Sequence, residues 1–519
     1  MKSEQSHYDV VIVGGGHNGL TSAAYLARAG KSVLVLERLP RVGGAAVSAP
    51  AFAGLPVRLS RYSDLVSLLP EQLIRELDLG VELRSRTTAS YTPWLRDGQS
   101  GGLLVERPEG EGTRASLREL TGGDDEYAAW QEFYGRVRRF AEVLQPTLLE
   151  PLVLERTIRE QVDAATWADF VTEPIASVIE RTFLNDVVRG VVATDALIGT
   201  FAALDDPSLI QNRCFLYHLI GNGKGEWKVP VGGMGAVTEA LLKSARQAGV
   251  EVIVEAGVSR ITSDGDHAEV TWDDGGRVRS ATARHVLSNV APWVLGILLG
   301  EPDAPELKPA GSQVIINLLL DRLPQLKSGL DPTVAFAGTL HLAETYTQLQ
   351  AAYDQAAAGH VPRLIPGEVL CHSLTDDSIL GGFPGHTLSY FGMHTPAALF
   401  EQPHARAQAV SGALAAINSY LAEPIEGCLA RDTSGFPCIE VKLPQDVEAD
   451  LAMPGGHIFH GDLAWPWASN RARLETPAQQ WGVATDLPNV FLCGAGARRG
   501  GAVSGIGGHN AAQAVLACD

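Results

Sequence analysis

The sequence predicts an α/β fold built around a parallel sheet, and three observations carry that expectation. The chain opens on a strand, glycine turn, helix and strand that end in an acid, Tyr8 to Glu37. A second turn–helix–strand pattern returns at about Trp227 to Gly300. A third strand, with a glycine-rich turn and a helix, closes the chain at Pro488 to Leu516.

In the first unit, Asp9 to Val13 form a short β-branched run of the kind buried in a parallel sheet. Gly14, Gly16 and Gly19 follow in G-x-G-x-x-G register. The first glycine permits the tight turn, the second the approach of a pyrophosphate, and the third close packing of helix on strand. The helix expected from about Asn18 to Ala29 turns its free N–H groups and positive dipole end to the phosphates. Val33 to Leu36 read as the second strand, and Glu37 stands where a carboxylate accepts hydrogen bonds from a ribose diol. This is a Rossmann-like dinucleotide fingerprint, and alone it does not say which dinucleotide. Soon after it, RVGGAAVS (Arg41 to Ser48) has a glycine pair, Gly43-Gly44, suited to a loop lying over the cofactor.

The second visit has a Pro-x-Gly-Gly turn at Pro230 to Gly233, then a helix with Val237, Leu241 and Ala245 on one face. Gly249 ends it, Val250 to Val254 read as a strand, and a hairpin is expected at Asp274-Gly275-Gly276. The strand RHVLSNVAP follows, and the backbone of Val258 is placed to hold an adenine. In the third visit Val490 to Cys493 make a strand, Gly494 and Gly496 a turn, and Gly500 to Gly508 a second glycine-rich stretch. The terminal helix is expected at about His509 to Ala517. Between the visits, residues 115–224 look mainly helical. Residues 301–454 mix strands such as SQVIINLLL and HTLSYFGMH with a long helix near Pro403 to Ala422. LIGNGKGEW (Leu219 to Trp227) lacks a strand-to-helix context and reads as a loop.

With 519 residues, 45% hydrophobic and 19% charged, the composition is that of a soluble globular protein of roughly two or three domains. Lys and Arg number 41 against 60 Asp and Glu, a net charge of −19, which disfavours nucleic acid and a basic membrane-docking surface. No apolar run reaches the roughly 18 residues of a membrane span. Met1 to His7 is polar and unlike a signal peptide, so a cytoplasmic location is expected. The six cysteines include no C-x-x-C pair, which excludes a dithiol flavoprotein reductase. No His/Cys cluster has metal-ligand spacing, so no metal is expected.

The series G-x-G-x-x-G…E…GG, P-x-GG-M-G, SNVAP and CGAG…GG-x-x-x-G resembles the phytoene desaturase and amine oxidase superfamily of FAD-dependent oxidoreductases. GHNGL and VGGMGAVTEAL look most like its phytoene-dehydrogenase-related branch. The resemblance implies a Rossmann-like FAD-binding domain of p-hydroxybenzoate-hydroxylase type, built from 1–90, 225–300 and 455–519. It also implies an inserted α+β substrate domain with a helical lid, from 91–224 and 301–454. It places Gly14, Gly16 and Gly19 at the pyrophosphate and Glu37 at the adenosine ribose, with Asn18 and Arg38 in the same cofactor-binding set. Gly43, Gly44 and Ala45 would line the cofactor, Val258 would contact adenine, and Gly494, Ala495, Gly505 and Ile506 would lie against the flavin. The chain departs from relatives at Ala45-Ala46, where Arg often follows the glycine pair, and at ARRGGAV (Ala497 to Val503).

The activity so implied is a dehydrogenase, desaturase or oxidase acting on a largely apolar small molecule, such as a polyene. Oxygen or a quinone is the electron acceptor, since no second dinucleotide fingerprint is present. Amine oxidation, a flavin-dependent isomerase and a purely structural use of FAD are the alternatives. An apolar pocket mouth would permit peripheral contact with a membrane. Arg498, Arg499 and His509 are the candidates beside the flavin ring; no general base, Ser/His/Asp array or metal motif is visible. Tyr217, His218 and the stretch His460 to Trp467 could supply an aromatic pocket.

Overall fold

The computed structural model describes residues 6–223, 225–302 and 304–518. Met1 to Gln5 of the polar start, and Lys224 of LIGNGKGEW, therefore lie outside the described residues. The opening unit forms as a strand His7–Val13, a helix His17–Arg28 and a strand Val33–Leu36. The two strands pair in parallel, Val10 opposite Val33. All of Val10 to Val13 are buried because both faces of this sheet are covered. Val10 and Ile12 pack with Leu20 of the helix, while Val11 and Val13 pack on the other side with Trp272 and Leu295.

The rest of the first sheet comes from distant stretches. Arg277–Ser288 pairs in parallel with both His7–Val13 and Val490–Leu492, and Glu251–Ile253 adds in parallel to Val33–Leu36. Ala256–Ser263 and Ala268–Asp274 extend the sheet as an antiparallel meander that turns at Gly275-Gly276. Helix Met234–Gln247 buries Val237, Leu241 and Ala245. It and the terminal helix Ile506–Leu516 both pack on His17–Arg28. The terminal helix begins at Ile506 rather than near His509, which puts Gly507 and Gly508 inside its first turns. They permit helix-on-helix contact: a Cβ on Gly508 would lie 2.1 Å from the Asn18 carbonyl oxygen.

The second sheet runs in the order Ile439–Lys442, Val314–Leu320, His386–Gly392, Gly367–Leu370, Thr339–Leu342, Thr88–Arg96, Gln99–Glu106. The pairing of Thr339–Leu342 with Thr88–Arg96 is parallel and the others are antiparallel. Period-two alternation gives it two distinct faces. Leu340, Val369, Tyr390 and Ile316 stand in one row and form a core with Ala409, Ala413 and Ile417 of helix Ala405–Tyr420. The adjacent row, His341, Glu368, Phe391 and Ile315, projects from the opposite face.

Between the sheets in sequence, residues 111–220 are mostly helical. Helix Asp125–Leu144 buries Trp130, Phe133, Val137 and Phe140 at helical spacing. Phe133 packs edge-on against Phe170, Phe183 and Phe215, within a core that continues to the fingerprint helix. LIGNGKGEW is a loop only in part: helix Ile210–Ile220 runs through Leu219 and ends in a short turn, Gly221–Gly223. Among the described residues no helix is long and apolar enough to cross a membrane.

Candidate functional site

A cavity of about 1150 Å³ opens at the carboxyl ends of His7–Val13 and Val33–Leu36 and runs to the inner face of the second sheet. A single small-molecule pocket takes roughly 300–1,000 Å³, so this one lies just above the upper end of that range. Gly14, Gly16, Asn18, Glu37, Arg38, Gly43, Gly44, Ala45, Val258 and Ala495 line it.

The turn at its fingerprint end is held by backbone and one carboxylate. Glu37 accepts from the N–H of Gly15 and of Leu39, each at 2.8 Å. Burial raises its pKa, opposed by those two N–H groups and by Arg38. Asn289, from SNVAP, donates to the Gly14 carbonyl at 3.0 Å. The Gly43 N–H donates to the Gly15 carbonyl at 2.9 Å, which stitches the second glycine pair to the first turn. Helix His17–Arg28 has no side-chain cap, so its first N–H groups stay available for an anion. The buried Oδ1 of Asn18 has no partner. At Gly16 a Cβ would come within 2.8 Å of Asn289 Nδ2, so a side chain would fill the cradle. These groups fit a pyrophosphate and a ribose. Glu37→Gln puts an NH2 group opposite a backbone N–H, and a hydrogen bond to a charged group is worth about 1.5–3 kcal/mol. The expected result is roughly a ten- to hundredfold weaker FAD affinity, measured by flavin fluorescence titration of the apoprotein.

Four residues expected at the cofactor do not line the cavity: Gly19, Gly494, Gly505 and Ile506. Their places are in the packing. Gly19 and Gly494 lie against the backbone of Gly14 and Asn289, Gly505 faces Thr21, and Ile506 is buried in the helix-covered core.

A family model for flavin-containing amine oxidoreductases matches residues 19–417. The chain belongs to that family. An uncharacterized protein of Mycobacterium tuberculosis is 49% identical to it over 100% of this chain and 98% of its own length. Pyridine nucleotide-disulfide oxidoreductase domain-containing protein 2 of Mus musculus is 29% identical, covering 98% of this chain and 93% of its own. A limonene dehydrogenase polypeptide of Castellaniella defragrans is 26% identical over 99% and 95%. Among solved structures, putrescine oxidase bound to putrescine shares the fold, with a TM-score of 0.58 at 16% identity over 98% of this chain and 97% of that one. The cofactor of this family member is FAD. Cys214, Cys371, Cys428, Cys438 and Cys493 are all buried.

At its far end the cavity of this family member meets the row His341, Glu368, Phe391 and Ile315 of the second sheet. His341 Nδ1 lies 2.6 Å from Glu344 Oε2, and both side chains are buried. Glu368 stands directly across from His341. Asp195 enters the same space from the end of helix Asp186–Thr194. Neither the Asp195 nor the Glu368 carboxylate makes a hydrogen bond or ion pair among the described residues. Burial pulls the His341 ring down, but Glu344, then Glu368 and Asp195, outweigh it and hold the ring protonated up to about 9. Burial lifts Asp195 to about 7 against the pull of His341, and it raises Glu368 as well.

Ligand atoms of His341, Glu344 and Glu368 lie within 4.8 Å of one another, a grouping that sequence spacing does not reveal. Two ligands of one tetrahedral ion at about 2.0 Å would be roughly 3.3 Å apart. The 2.6 Å between His341 and Glu344 is therefore that of a shared proton rather than of two ligands to one ion.

The cluster has a stability consequence. Acids whose folded pKa is raised favour the fold while protonated, and that contribution is lost as pH climbs from about 4 through the folded values. His341 adds stability that is full below about pH 6.5 and lost as pH passes about 9. Both effects lower stability in alkali. Glu368→Gln removes one ionisation, so its melting temperature should exceed the wild type's by a margin that grows from about pH 4 to about pH 8. Parallel melting curves across that range would refute the assignment.

The three residues offered for the flavin ring are engaged elsewhere and do not line the cavity. Arg499 is 1% exposed and donates to the carbonyls of Thr147 and Glu150, each at 2.7 Å, and of Trp481 at 3.1 Å. Its left-handed backbone, φ 67°, accompanies this inward course. Arg498 donates to the carbonyls of Trp465 and Trp467. His509 pairs with Asn510 and meets Tyr25 and Trp481 edge-on. These side chains clamp loops. Of the expected aromatic pocket, Tyr217, His218 and His460 line the cavity, with Phe459 and Leu463. Trp465 and Trp467 stack on each other instead, 5.0 Å between centroids.

Proposed function

We propose that the chain is an FAD-dependent dehydrogenase that removes two hydrogens from a lipophilic small molecule. In this reading the first sheet holds the cofactor, and the second sheet with the helical segment shapes the substrate space. The observation that carries it is the apolar part of the cavity wall, which includes Leu68, Tyr134, Val137, Ile198, Phe391 and Phe459. Such walls bind an apolar body by desolvating it and exclude bulk water from the reacting carbon. FAD, when bound, supplies the two-electron acceptor, and oxygen or a quinone would take the electrons onward. Tyr217 is held by its hydroxyl on the Ala464 carbonyl at 3.1 Å, which keeps its ring as a fixed wall. The activity for which the limonene dehydrogenase relative is named, on a hydrocarbon, supports the reading.

An amine substrate is the second reading. Asp195 and Glu368 favour it, as carboxylates open to the cavity with no protein partner to accept from. Anaerobic bleaching of the flavin by a panel of polyenes, terpenes, acyl compounds and amines, with products identified by mass, tests both. Bleaching by apolar compounds and not by amines supports the first, and the reverse pattern replaces it with the second. A product isomeric with its substrate, formed without net electron uptake, would overturn both.

A further inference from the structure

Arg86 and Arg107 are the strongest unexplained charges in the cavity. The Arg107 N–H donates to the Thr87 carbonyl at 3.0 Å, so the two arginines flank the end of the ribbon formed by Thr88–Arg96 and Gln99–Glu106. Both line the cavity. Arg86 is 6% exposed and donates only to neutral oxygens, the Trp227 carbonyl at 3.3 Å and Thr339 Oγ1 at 3.0 Å. The Nε of Arg107 is buried with no partner. Among the described residues neither guanidinium makes an ion pair.

Two like charges held side by side away from water are unfavourable unless a counter-charge joins them. Burial, reinforced by Arg107, lowers Arg86 to about 10. Glu226 acts on both from longer range and Glu368 on Arg86, but Glu226 lies 3.9 Å from Lys228 and is shared. The guanidinium fork matches a planar or tetrahedral oxyanion, which would satisfy both arginines at once.

We propose that Arg86 and Arg107 form a subsite for the anionic head group, a carboxylate or a phosphate, of an otherwise apolar substrate. The inference rests on the apolar-substrate reading above and adds the head group to it. The apolar body would then extend along Trp130 and Tyr134 toward the flavin end.

The test is calorimetric titration of the FAD-loaded protein with decanoate, decyl phosphate and decanol. At least one anion should bind about tenfold or more tightly than decanol, and whichever is tighter names the head group. Arg107→Gln should abolish that preference and leave decanol unchanged. Arg107→Lys should restore only part of it, since a point charge lacks the fork. Equal binding of decanol and both anions, or a preference that survives Arg107→Gln, overturns the subsite and leaves the apolar reading intact. Binding of none of the three overturns the apolar reading and this inference together. Should Arg107→Gln fail to fold, the wild-type comparison of anion with alcohol decides alone.

Discussion

Gly19→Ala is expected to yield a folded protein that loses its FAD on desalting. A Cβ at this position would lie 2.3 Å from the Gly14 carbonyl oxygen and 3.1 Å from Asn289 Nδ2. The oxygen cannot yield easily. It accepts from Asn289, and the Gly14 N–H is tied to the Leu36 carbonyl at 2.8 Å. The helix His17–Arg28 must lift instead, at a cost of about 1–3 kcal/mol for such overpacking. Its first N–H groups then leave the phosphate position, and a misplacement of about 1 Å can cost on the order of a hundredfold. Flavin-to-protein absorbance after gel filtration, with circular dichroism as the control for folding, measures the outcome. Full FAD occupancy would disprove the packing role given to Gly19.

Gly190→Ala should do the converse: retain FAD and lose turnover. Among the described glycines this position leaves the least room, as a Cβ on Gly190 would sit 1.8 Å from the Glu344 carbonyl oxygen and 2.8 Å from Thr345 Cα. Sliding does not relieve it, because Asp186 of the same helix accepts from Thr347 at both N–H, 3.0 Å, and Oγ1, 2.7 Å. The helix Asp186–Thr194 therefore moves outward and carries Asp195 away from His341 and Glu368. A loss of about 1–3 kcal/mol in stability is expected, again from overpacking. Anaerobic flavin reduction should slow by at least about tenfold with any substrate that bleaches the wild type. FAD content should be unchanged, since the fingerprint turn belongs to the first sheet and this joint braces the second. Normal reduction kinetics would show that the Asp195–His341 arrangement does not matter to the reaction.

These two glycines also mark the boundary of what could be read in advance. Gly19 belongs to a motif whose members are close neighbours in sequence, so its spacing reports its geometry. Gly190 carries no motif. Its role depends on Glu344, which only the packing of two separate insertions brings near. The same holds for the polar cluster. TLHLAE, GEVL, HTLSYFG and SQVIINLLL each show the alternation of a strand, but their spacing does not tell which residues share a row or which row faces the cofactor. Arg498 and Arg499 fail for the opposite reason. They follow a flavin-family turn, yet hydrogen bonds to the carbonyls of Thr147, Glu150, Trp465, Trp467 and Trp481 hold them away from the cavity.

Local order in the chain was enough to determine the α/β class, the parallel sheet around the fingerprint, a dinucleotide as ligand and Glu37 as the acid that closes the fingerprint. Each of these rests on backbone geometry and short-range periodicity, which successive residues encode directly. Only the tertiary structure decided what faces the fingerprint across the cavity: the row His341–Glu368–Phe391–Ile315, Asp195 above it and the arginine pair at its flank. Those side chains come from strands and helices far apart in sequence. Strand register and helix packing, set by the burial of the opposite apolar faces, are what bring them together.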